Sequence, residues 1–198
     1  MAIGRGDTFT KFLKAFDRST IVALIPILSV PFVLDLIFSL QPPWPRYSTY
    51  ATAFLELCVL FLAFFIKIES KAKLFRYQIS TFALISLMFV SYFFLYSMFV
   101  FDVPATGEKV VSGFRCTYQA ENFIAPALMQ ECPFLNEEAL AAAEYDAETV
   151  WTPLSVRLIE IIMFITWSLF FILSTFLFGV SVAFLQRTRR SKHVAQMP

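Results

Sequence analysis

Four long apolar runs are separated by polar connections of very unequal size. The runs lie near Thr20–Leu40, Tyr50–Ile68, Gln78–Phe101 and Leu154–Leu185. About 20 helical residues cross a bilayer, so each run predicts a spanning helix. The runs are continuously apolar; the alternation of a membrane β-barrel is missing. The predicted fold is all-α and membrane-integral: a four-transmembrane-helix bundle with a disulfide-stapled extracytoplasmic loop between helices 3 and 4.

Composition supports that solvent assignment. Hydrophobic residues make up 58% of the 198, aromatics 18% and charged residues only 16%; mean hydropathy is +0.68. A soluble domain carries about 25% charged residues, and 25 phenylalanines exceed what one soluble core of this size hides.

The net charge of +1 conceals an uneven distribution. Arg5, Lys11, Lys14 and Arg18 precede the first run. Lys67, Lys71, Lys73 and Arg76 separate the second and third. Arg187, Arg189, Arg190 and Lys192 follow the fourth. Twelve of the 16 basic residues therefore lie on one side, which the positive-inside rule makes cytoplasmic. Both termini are expected to be cytoplasmic. The first run is too long for a signal-peptide core and lacks a small-x-small cleavage site, so it reads as an uncleaved anchor.

The expected organisation is a cytoplasmic interfacial amphipathic helix at 1–19, transmembrane helices 1–3 within 20–101, an acidic extracytoplasmic cap at 102–153, transmembrane helix 4 at 154–185 and a basic cytoplasmic tail at 186–198. Phe9, Phe12, Leu13 and Phe16 at helical spacing give the first segment its apolar face. The basic edges, Lys11, Lys14 and Arg18, Lys71, Lys73 and Arg76, and Arg187, Arg189 and Arg190, are candidate contacts for anionic lipid or for a soluble partner.

The outer loop carries nine acidic residues against Lys109 and Arg115. An extracytoplasmic location is oxidising, so Cys116 and Cys132 are expected to pair. Asn136 followed by Glu137 and Glu138 predicts a capped, acidic helix start. Thr152-Pro153 predicts the start of the fourth span.

Three carboxylates fall inside the runs. Asp35, Glu56 and Glu160 are each expected about five or six residues from the outer end of a span, with Arg157 one turn from Glu160. Intramembrane acids face the bundle interior or water. Two arrangements satisfy them: an acidic outer vestibule, or pairing with Arg46, Arg157 and the hydroxyls of span three. The stretch PILSVPFVLDLIF adds Pro26 and Pro31 below Asp35. In a membrane, neighbouring helices and hydroxyls satisfy the backbone groups that proline frees.

Catalytic chemistry has no footing. The single histidine, His193, lies in the basic tail, away from any serine or cysteine that it could activate. There is no Cys-x-x-Cys, phosphate-binding loop or dinucleotide fingerprint. No enzyme activity, cofactor or metal is expected, nor is direct contact with nucleic acid.

The plan resembles a tetraspanin: four spans, both termini inside and one large disulfide-bearing outer loop. The Cys-Cys-Gly motif of that family is absent. The basic inner flanks at 5–18, 67–76 and 187–192 and the outer loop 102–156, in a domain-free chain, also resemble the membrane subunit of the bacterial two-component Kiwa antiviral system. That resemblance implies a homo-oligomer in the inner membrane, a cytoplasmic DNA-binding partner and a sensing role in anti-phage defence. The other functions compatible with the residues are a small ion channel with an acidic outer vestibule and an accessory subunit of a larger membrane complex.

Overall fold

The computed structural model describes residues 30–36, 40–66, 70–103, 107–128, 131–133, 135 and 137–195. Most of the first apolar run and all of the expected interfacial helix, with Lys11, Lys14 and Arg18, lie outside the described residues. Residues 30–36 are helical, with Pro31 buried.

Three longer helices follow. Helix α1 is Ser48–Phe65 and helix α2 is Lys71–Phe99. Two short strands, β1 (Val100–Asp102) and β2 (Lys109–Val111), come next. A π-helical turn, Ala120–Ile124, continues into α3, Ala125–Ala127. Helices α4 (Glu137–Ala142) and α5 (Ala147–Val150) precede α6, Pro153–Ala195. At 1.5 Å per residue, α2 is about 44 Å long and α6 about 65 Å. Both are long and apolar enough to cross a membrane, whereas α1 is a shorter apolar helix.

Helix boundaries differ from the hydropathy runs for a physical reason. Hydropathy drops at Arg76 and again at Gln186, yet Lys71–Gln78 and Gln186–Ala195 are helical. Lys, Arg and Gln are good helix formers, so the helices run on after the apolar signal ends. Pro153 is the first residue of α6, as its sequence position predicts.

Chain contacts divide the molecule into two compact units. One is built from Thr49–Ser86 and the part of α6 from Leu169, together with residues 30–36; the other from Gln41–Ser48 and Leu87–Ser168.

In the first unit α1 meets α6 through small residues. A Cβ added at Gly179 would lie 3.0 Å from Ala63 Cβ and 3.1 Å from Leu60 Cδ1. Such close backbone approach is the usual way apolar helices associate in lipid. Two hydroxyls of α6 are satisfied within their own helix: Ser174 Oγ donates to the Phe170 carbonyl at 2.8 Å and Ser181 Oγ to Leu177 at 2.7 Å. These bonds let polar residues sit in apolar helices without water.

The second unit is a small core around Trp151. Strands β1 and β2 pair antiparallel, Val100 with Val111 and Asp102 with Lys109. Trp151 is fully buried and stacks on Phe101 at 6.4 Å; its Nε1 donates to the Pro133 carbonyl at 3.4 Å. Thr117 N donates to the Val150 carbonyl and Thr152 N to Arg115, flanking a Cys116–Trp151 bridge. Gly113 is required here, since a Cβ would fall 2.1 Å from Ser155 Oγ and 2.8 Å from Trp151 Cβ. Asp146 caps α5 by accepting from Glu148 N at 3.0 Å. Tyr92 and Trp167, both buried, join α2 to α6 with ring centroids 5.1 Å apart.

The outer loop is thus richer than the single acidic helix expected from its sequence. The acidic start of α4 at Glu137 and Glu138 is present, while its expected cap, Asn136, lies outside the described residues. The hairpin, the π-turn and α5 are additions. Val100 and Phe101 belong to β1 and not to the end of the third span: the ladder with Val110 and Val111 gives them extended backbone partners.

Candidate functional site

Cys116 and Cys132 are bonded, with Cα atoms 6.1 Å apart. The staple holds the start of the π-helical segment to the turn that contacts Trp151. Within the loop it closes, Tyr118 and Phe123 are 79% and 68% exposed, so the stapled segment presents aromatic surface. Lys109 Nζ lies 5.0 Å from the centre of the Tyr96 ring and contacts its hydroxyl.

Glu56 and Glu160 have separate partners. Glu56, 1% exposed, accepts from Thr175 Oγ1 at 2.9 Å, linking α1 to α6 within the first unit. Among the described residues its Oε2 has no hydrogen-bond partner. Glu160 accepts from Arg157 Nη1 at 2.8 Å within the second unit, one turn apart on α6. Asp35 is half-buried in the helical residues 30–36.

Pairing of Glu160 with Arg157 was one of the two arrangements open from the sequence. The partner of Glu56 is a correction: the hydroxyl comes from the last helix, Thr175, and not from span three. A signal for it exists, since Ser168 and Thr175, seven apart, share one helix face and both are buried. The sequence also offers no rule that singles out Trp151 among three tryptophans.

Of the basic edges, Lys71, Lys73 and Arg76 are exposed on the first turns of α2. Arg187, Arg189 and Arg190 lie in the last turns of α6. Cys58 is a free thiol on α1. Among the described residues no group of three or more His, Cys, Asp or Glu side chains is arranged to hold a metal ion.

The outer surface of the long helices is apolar. Along α2, Phe75, Phe82, Leu87, Val90, Phe93 and Phe94 are all more than half exposed. Monomeric soluble proteins rarely leave a contiguous patch of this kind open to water. Comparison with models of protein families, with curated proteins and with solved structures gives no match to this chain.

Proposed function

We propose that the protein is a non-enzymatic, multi-pass inner-membrane sensor and scaffold. It crosses the membrane four times with both termini cytoplasmic, assembles as a homo-oligomer, holds the stapled cap outside and docks a soluble cytoplasmic partner through its basic edges. The observation that carries this reading is the exposed aromatic and aliphatic surface of α2, which needs lipid or another copy of the chain to cover it. The cap supports the sensing half: a disulfide, a hairpin and a buried tryptophan fix a rigid surface that displays Tyr118 and Phe123. The scaffold half rests on the basic charge of the inner edges.

A role in anti-phage defence, with a DNA-binding partner, extends this reading on the strength of the Kiwa-like plan. The test is affinity purification in mild detergent followed by mass measurement. The proposal expects an oligomer that retains a soluble protein; recovery solely as a partnerless monomer would overturn it. The defence role fails separately if deletion leaves plaque counts unchanged across a broad phage panel.

A further inference from the structure

Within the first unit, α2 and α6 leave an open cleft of about 710 Å³ between them. That volume is in the range of roughly 300–1,000 Å³ typical of small-ligand sites. Its walls are Gln78, Phe82 and Ile85 from α2 and Ser174, Phe178 and Ser181 from α6. Gln78 Nε2 donates to Ser181 Oγ at 3.0 Å and so bridges the two walls. Ser174 and Ser181 spend their hydroxyl protons on their own helix. The remaining lining is aliphatic and aromatic, suited to a flexible hydrocarbon chain.

The charge at the end of this cleft is strongly one-sided. Residues 71, 75, 78, 82 and 85 recur at three- and four-residue steps and form one stripe of α2. Lys71 therefore continues the line of Gln78, Phe82 and Ile85, about 10 Å further along the axis. Arg76 stands in the same way on the stripe of Ile79 and Ala83, which also line the cleft. Lys71, Lys73 and Arg76 are exposed, and among the described residues no carboxylate is ion-paired with them. Neither α2 nor α6 beyond Leu169 contains an acidic residue; in the adjoining connection the sequence has one, Glu69, beside Lys67. In the four-span reading, on which this inference rests, Arg187, Arg189 and Arg190 lie at the same membrane face.

We propose that the cleft is a binding site for an anionic glycerophospholipid, with one acyl chain between Phe82 and Phe178 and the phosphate held by Lys71 and Arg76. Arginine and lysine donate charge-assisted hydrogen bonds to phosphate oxygens. Basic pockets between spanning helices at the cytoplasmic face are a recurrent site for anionic headgroups. An anionic lipid satisfies both halves of the site at once, whereas a zwitterionic lipid fills the cleft but gains little from the cations.

The test uses the full-length protein, purified in mild detergent and loaded with equal amounts of phosphatidylglycerol and phosphatidylethanolamine, with bound lipid counted by native mass spectrometry. The wild type should retain phosphatidylglycerol at least about fivefold over phosphatidylethanolamine, the preference that roughly one well-placed cation supplies. K71Q/R76Q should bring the two lipids to parity. Ala83→Trp, which fills the cleft and leaves the cations in place, should reduce retention of both. Equal retention in the wild type, or a preference that survives K71Q/R76Q, would overturn the proposal. So would an Ala83→Trp variant that keeps its lipid but changes the number of chains per particle, because the cleft would then hold a second copy. Partition of the wild type into the detergent phase tests the membrane reading on its own, so failure of lipid selectivity is distinguishable from failure of that reading.

Discussion

Around Glu56, α1 and α6 meet through Gly179, Ala63 and the hydrogen bond from Thr175 to Glu56. Around Trp151, the cap closes with a disulfide, a two-stranded ladder, a ring stack and the backbone hydrogen bonds Thr117–Val150 and Thr152–Arg115. In the proposed four-span arrangement the difference follows from solvent. In lipid, apolar burial between helices drives little association, so close packing and occasional polar contacts do the work. A cap placed in water outside would be too small to rely on its hydrophobic core, and a covalent staple suits such a domain. A protein built this way has two regions that should respond to different perturbations.

The largest expected effect is in the cap. Trp151→Ala removes the side chain on which Phe101, Pro133 and Gly113 converge and should destabilise the cap by about 3–5 kcal/mol. Limited proteolysis of the 102–156 loop in detergent should show much faster cleavage, with the α1–α6 contact still protected from hydrogen exchange. Next, C116S/C132S, or reductant applied to the native protein, should cost the cap about 3 kcal/mol, the loop-closure value for a separation of this size. Cap proteolysis again reports it; an equal loss of protection in α1 would break the distinction between the two regions.

Smaller effects are expected in the bundle. Thr175→Val keeps the shape and removes the donor to Glu56, at a cost near 0.6 kcal/mol, roughly the average for such contacts between membrane helices. Thermal unfolding in detergent should show a modest shift, and reductant should neither enlarge nor abolish it. Smallest of all is Arg157→Gln. The Arg157 side chain is 54% exposed and that of Glu160 12%, and a pair open to solvent on its cationic side contributes about 0–1 kcal/mol. Unfolding should barely change, and a large shift would mean that Glu160 is held in a drier setting than its exposure shows.

Hydropathy picked out α2 and α6 as long apolar helices, because it depends on composition over many residues. The acidic start of α4 and the proline at the start of α6 were legible for a related reason: capping and dipole preferences act within one turn. What escaped was specific pairing. Val100 and Phe101 look like the tail of an apolar run, and only the ladder to Val110 and Val111 shows them as strand. Thr175 is one of several hydroxyls in α6, and its role depends on which residue of α1 lies opposite. Gly113 is small because Trp151 and Ser155, about 40 residues later, occupy the space where its side chain would be. Contacts of that sequence separation leave no local pattern.

The measurement that tests the account most directly is sidedness. In a Cys58→Ser background, Ala141→Cys places a thiol on the exposed face of α4 and Lys73→Cys places one on the exposed start of α2. A membrane-impermeant maleimide applied to spheroplasts should label Ala141→Cys at once and Lys73→Cys solely after permeabilisation. Labelling of both thiols from the same side would contradict the placement of a stapled cap outside and basic edges within.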